Sequence, residues 1–214
     1  MLRFDLSTVA ETLSFTPVGA SGRGVPWAAL LVASLAAAGW FWPDATDVLL
    51  YERDRVLGGE WWRIWTAHFV HLGGGHLVWN LVVFVPAAVW AERLAPLRTR
   101  LFLAIAPGII GAVLLALDSA LTRYAGLSGV AAGAITLLAV LKLRAVGSDR
   151  WFWCGALLLL AVKIAAETAS RQPLLTDLGA DGAQPVPLAH LAGIVCAAIA
   201  GLAPRHTDGG AVEL

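Results

Sequence analysis

A serine hydroxyl becomes a competent nucleophile when a neighbouring base takes its proton, and neutral imidazole is the side chain best matched to that task near neutral pH. The chain holds a serine in a glycine-flanked turn, Gly126-Leu127-Ser128-Gly129, and a histidine, His190, in Ala189-His190-Leu191-Ala192-Gly193. Upstream, His76 and Asn80 stand four residues apart, so a helix stacks them on one face. The chemistry that fits is acyl transfer. Ser128 attacks a carbonyl, His190 acts as its base, and the Ser128 amide with His76 and Asn80 supplies donors for the developing oxyanion. Preorganised donors of that kind are worth ~3 kcal/mol each in a water-poor pocket. A helix starting at Ser128 adds unpaired amides and a favourable dipole. With no acidic residue in an obvious third place, the residues read as a Ser-His dyad whose base is oriented by packing.

The elements that must position these groups are membrane spans. The sequence has 214 residues, is 58% hydrophobic and 14% charged, and its mean hydropathy of +0.74 lies outside the range of soluble domains. Apolar runs predict six helices, at about 25–42, 74–92, 101–117, 128–140 and beyond, 151–166 and 186–202. Residues 1–24 read as a short polar tail without a signal-peptide pattern, 25–204 as the membrane domain, and 205–214 as a second polar tail. Between the first two spans lies a long amphipathic loop, in which Asp47, Glu52, Asp54, Glu60 and Arg63 alternate with Trp61, Trp62 and Trp65, as in a segment at headgroup level. The fold class is therefore an all-α membrane protein.

An even number of spans puts both termini on one side. That side carries nine Lys and Arg, the other carries five, and Lys163 lies within a span, so the positive-inside rule makes the termini cytoplasmic. Spans two, four and six then run from outside to inside. His76, Asn80, Ser128 and His190 reach one depth a little below the outer surface, where polar side chains face a protein interior or a wet cavity. Gly126, Gly129, Gly133 and Gly193 remove bulk so that spans four and six can approach.

Each group also has a blander reading. Ser128 alone is an ordinary helix cap, His190 a structural histidine, and Asn80 a hydrogen bond between helices. His68, His71 and His76 lack a nearby carboxylate or cysteine, which argues against zinc; His71 reads as a supporting residue, and no metal or organic cofactor is implied. Gly73-Gly74-Gly75 lacks the lysine of a phosphate loop. Arg63 with Glu60 reads as an interfacial salt link, and Lys163 with Glu167 as a pair that bonds or snorkels outward. Cys154 and Cys196 sit in apolar runs and predict no disulfide. Zero net charge gives no reason to expect nucleic acid.

Taken together, these residues resemble the rhomboid family of intramembrane serine proteases. The resemblance rests on Trp62-Arg63, His71, His76 through Asn80, Gly126 through Gly129, and Ala189 through Gly193, in the family's order over roughly residues 25–204. It implies a six-helix bundle with Ser128 as nucleophile, His190 as base, His76 and Asn80 in the oxyanion hole, and a loop bearing Trp62 and Arg63 partly in the outer leaflet. The implied partners are transmembrane protein substrates and the lipid bilayer, in a bacterial inner membrane. Two positions depart from the pattern: Ala197 stands where a glycine is frequent, and Ala132 where many members stack an aromatic ring on the catalytic imidazole. Gly59-Glu60-Trp61-Trp62-Arg63 with His68 and His71 also resembles rhombosortases, a subgroup thought to process C-terminal Gly-Gly anchors. Rival readings are an inactive relative that binds membrane helices, which loss of the Ser or His would mark, and a small transporter, for which paired intramembrane charges are expected.

Overall fold

The computed structural model describes residues 24–147, 149–174 and 185–203. The two expected tails lie outside these apart from Gly24, as do Asp177 and Asp181 before the last span. In chain order, α1 (Trp27–Phe41) is the first span. The loop that follows folds into α2 (Ala45–Leu49), β1 (Tyr51–Glu52), α3 (Arg53–Leu57), α4 (Arg63–Thr66) and a 3-10 turn, Ala67–Phe69. Then come α5 (Gly74–Leu94), α6 (Pro96–Leu117), β2 (Arg123–Tyr124), α7 (Ser128–Leu143), α8 (Arg150–Ser170) and α9 (Pro187–Leu202). The six expected spans are all helices, and the chain is an all-α membrane bundle. To it the structure adds one two-residue antiparallel bridge, Tyr51 to Tyr124 and Glu52 to Arg123.

The third span starts at Pro96, ahead of the expected 101, because proline suits the first helical position and the following arginines find partners at that end. Likewise α8 continues to Ser170, since Lys163 and Glu167 neutralise each other within it. The helices α5, α6 and α8 have 21, 22 and 21 residues and are long and apolar enough to cross a membrane; α1, α7 and α9 are shorter. At 1.5 Å per residue, a 16-residue helix such as α7 or α9 spans about 24 Å, less than the ~30 Å hydrocarbon core. An end of each therefore stops within the membrane's depth.

Lipid is as apolar as leucine, so shape and polar pairing must hold such helices together. Large side chains such as Leu158, Leu159 and Ile199 face outward, while Phe84, Ile110, Leu114, Leu127 and Leu137 are fully enclosed. Contact is most extensive between α7 and α9. On α6, Gly108 and Gly111 form a notch that receives Trp65 and Ile64 of the loop, and the Trp65 indole donates to the Ala104 carbonyl at 3.2 Å.

Polar pairing gathers at one end of the bundle. Buried Glu92 on α5 accepts from the amides of Ala28 and Ala29 at 3.3 and 2.9 Å, closing the start of α1, and pairs with Arg100 at 2.8 Å. Arg98 and Arg144 both donate to the Gly201 carbonyl at the end of α9, at 3.1 and 2.6 Å. Arg100 covers Trp27 and Lys142 covers Trp90 as cation-π pairs. These contacts join the start of α1 and α6 to the ends of α5, α7 and α9, which makes the last three run in one direction.

Candidate active site

At the opposite end, the first turns of α5, α7 and α9 meet. Gly129 and Gly193 bring α7 and α9 into backbone contact. A Cβ on Gly129 would stand 2.8 Å from the Ala189 carbonyl oxygen, and one on Gly193 would overlap the carbonyl of Gly129. Gly133 does the same one turn lower, 2.7 Å from the Gly193 carbonyl oxygen. Ser128, beside Gly129, and His190, beside Ala189, thus stand on facing first turns. Ser128 is half-buried, whereas His190 is 5% exposed. Ala197 is fully enclosed, so the extra methyl fits between the helices.

His76 and Asn80 are buried on the first two turns of α5. The His76 ring lies against Gly126, where a Cβ would come within 2.5 Å of its Cε1; Gly126 also has a φ of +120°, in the region that favours glycine. Two constraints therefore fall on that one residue. Four buried side-chain nitrogens here, Nδ1 of His71, His76 and His190 and Nδ2 of Asn80, have no hydrogen-bond partner among the described residues. Buried polar groups are usually paired, and these four lie on the elements that carry the residues singled out in the sequence.

The turn before Ser128 is fixed from the loop. The amide of Leu127 donates to His71 Nε2 at 3.3 Å, and that of Gly126 to the Ala67 carbonyl at 3.0 Å. His71 thus bonds the residue next to Ser128. His68 Nε2 donates to the Pro107 carbonyl at 3.0 Å, which leaves an unprotonated Nδ1 beside the Tyr124 hydroxyl oxygen, 3.5 Å away. Tyr124 in turn donates to the Gly126 carbonyl at 2.9 Å, with Ser128 and Gly129 also next to its oxygen. Burial pushes the Tyr124 phenol well above its ordinary range and His68 down to about 4. Burial first, then repulsion from His76 and His68, pushes His71 down to about 3. Both loop histidines are neutral at neutral pH.

Arg63 makes the expected link to Glu60, at 2.6 Å, but is buried, with the residue 1% exposed. It also donates to the carbonyls of Leu50 and Asp47 at 2.7 Å each. It holds the loop together because two backbone carbonyls converge on it, which sequence cannot display. The Trp62 indole, beside it, donates to the Val48 carbonyl at 3.1 Å. Lys163 and Glu167 do pair, at 2.7 Å, yet Glu167 faces the interior and does not snorkel. Its Oε2 lies 3.9 Å from His190 Nδ1. Tyr124 went unmarked in the sequence because a tyrosine in a loop carries no periodic signal.

A rhomboid domain model matches residues 58–205. The chain belongs to the rhomboid family. The match covers every residue of the site and all spans but α1, and the family is generally one of intramembrane serine proteases. Comparison with curated proteins returns no match. As a rhomboid, the protein is a membrane protein, and the helices that carry the candidate residues are those the family model includes.

Proposed function

We propose that this rhomboid is an active intramembrane serine endopeptidase using a Ser128-His190 dyad, with residues 25–204 as its membrane domain. The observation that supports the reading is the backbone contact of Gly129 with Ala189, which puts Ser128 and His190 on facing helix starts. A transmembrane substrate enters from the bilayer and unwinds locally, because a helix keeps its carbonyls in hydrogen bonds. Ser128 Oγ attacks the exposed carbonyl carbon as His190 takes its proton. The Ser128 amide, His76 and Asn80 bind the oxyanion. His190 then protonates the leaving amine, and water, deprotonated by His190, hydrolyses the acyl-enzyme.

The arginine and lysine cluster around Arg98, Arg100, Lys142 and Arg144 supports a cytoplasmic placement for that end and for both termini, with cleavage near the outer face of a bacterial inner membrane. Within the family we propose a rhombosortase-like substrate, a C-terminal Gly-Gly membrane anchor, supported by the run Gly59 to Arg63 with His68 and His71. The test incubates purified protein with a Gly-Gly-anchored substrate and a general transmembrane substrate. Cleavage of the first, abolished by Ser128→Ala and by His190→Ala, is expected; undiminished cleavage in either variant refutes the dyad, and equal cleavage of both substrates refutes the narrower specificity.

A further inference from the structure

We propose that Glu167 is the positioning residue for His190, turning its imidazole and steadying the imidazolium that forms when Ser128 loses its proton. The inference rests on the protease reading above and deepens it. Glu167 is 2% exposed, a costly place for a carboxylate, and it is held from two sides. Lys163 Nζ bonds Oε2 at 2.7 Å, and the amide of Leu174 bonds Oε1 at 3.2 Å. The second bond depends on the turn at Arg171, whose φ of 52° folds the chain back over the end of α8 while its amide bonds the Glu167 carbonyl at 2.9 Å. So the carboxylate is fixed before any substrate arrives.

His190 Nδ1 faces this carboxylate at 3.9 Å and has no hydrogen-bond partner among the described residues. That separation is too long for a hydrogen bond and short enough for an ion pair. A general base must rest neutral to accept a proton, and at rest the carboxylate is paired with Lys163. Once Nε2 takes the serine proton, the ring is a cation whose Nδ1–H points at a carboxylate a small side-chain movement away. Attraction then appears in the charged transition state and not in the ground state, which is the kind of interaction that raises kcat. Ala132, one turn into α7, contributes only a methyl, so α7 offers no ring to hold the imidazole. Among the charged groups acting on His190, Lys163 from α8 and His76 from α5 oppose an imidazolium, and Glu167 favours it. The cations of α6 and α7, Arg98, Arg100 and Lys142, lie toward the opposite end of the bundle.

The test follows kcat, KM and the pH profile of kcat/KM for peptide-bond cleavage. Glu167→Gln keeps the shape and an acceptor oxygen but leaves Lys163 unopposed. It should lower kcat about tenfold or more with KM within about twofold, and move the acid limb to lower pH by about one unit, because the imidazolium is less stable. Lys163→Met should move that limb upward. Glu167→Asp, which keeps the charge, should return the limb to its wild-type position while kcat stays low. If Glu167→Gln does not fold, Lys163→Met with Glu167→Met removes both charges at once, a kind of replacement of a buried pair that is often neutral for stability; it should show the same loss of kcat. Wild-type kcat in Glu167→Gln or in the double variant, or lost kcat with an unmoved acid limb in Glu167→Gln, overturns the role of Glu167. Ser128→Ala run alongside separates the two failures: cleavage surviving in it defeats the protease reading, whereas its inactivity beside a fully active Glu167→Gln defeats only the positioning.

Discussion

Replacing Gly193 by alanine tests whether contact of α7 with α9 sets the active geometry. The added Cβ would overlap the Gly129 carbonyl oxygen and lie 2.8 Å from its carbon, with Ile110 Cδ1 at 3.5 Å behind it. Carbon atoms pack comfortably at about 3.5–4.0 Å, so the helices must part by roughly 1 Å. Neither obstacle at the front is a flexible side-chain tip; both are helical backbone. Overpacking of this kind costs about 1–3 kcal/mol, and a displacement of about 1 Å between reacting groups costs on the order of a hundredfold in rate. Cleavage per folded molecule should therefore fall about a hundredfold, beyond what any loss of folded protein accounts for. Gly155→Ala in α8 is the control, because a Cβ there meets nothing within 4 Å and alanine favours the helix by roughly 1 kcal/mol. Cleavage kinetics in detergent or liposomes, with thermal unfolding of the same preparations, decide the matter. A Gly193→Ala protein with wild-type kcat/KM, or one whose loss of activity is accounted for by loss of folded protein, refutes the reasoning.

Two further outcomes concern stability. Glu92→Ala strips partners from the Ala28 and Ala29 amides and from Arg100; it should lower unfolding free energy by about 2–4 kcal/mol, measured by steric trapping or denaturant titration, while cleavage by the remaining folded fraction stays unchanged. Acid should also weaken the fold through His68, held at about 4 against an ordinary 6.5. Between those values the unfolded chain binds a proton that the folded one refuses, so the stabilisation is complete above about pH 6.5 and is lost as pH falls toward 4, roughly 3 kcal/mol in all. Thermal midpoints that do not move over that window in wild type, or that move equally in His68→Gln, would contradict it.

Much of the architecture was readable because membrane insertion imposes a simple grammar. Apolar runs between polar ends gave all six helices, and helical spacing put His76 and Asn80 on one face of α5. Other features depend on rotation about a helix axis. Spans that are apolar on nearly every side carry little periodic signal, so nothing in the sequence says that Glu167 turns toward His190 and not toward the headgroups. Long-range capping is equally hidden: Glu92 closes a helix more than sixty residues earlier. The loop read as amphipathic without its three short helices, since runs of four or five residues are too short for a period to show. Arg63 looked like a surface cation because burial of a guanidinium depends on carbonyls brought to it by that folded loop.

The most direct measurement of the central claim is labelling of the purified protein by a fluorophosphonate, followed by peptide mapping, since only a serine activated by a base reacts readily. The modification is expected on Ser128, and His190→Ala should slow it by at least a hundredfold while leaving the unfolding midpoint within a few degrees. A Ser128 that stays unlabelled in cleavage-competent protein, or one that reacts equally fast without His190, contradicts the account.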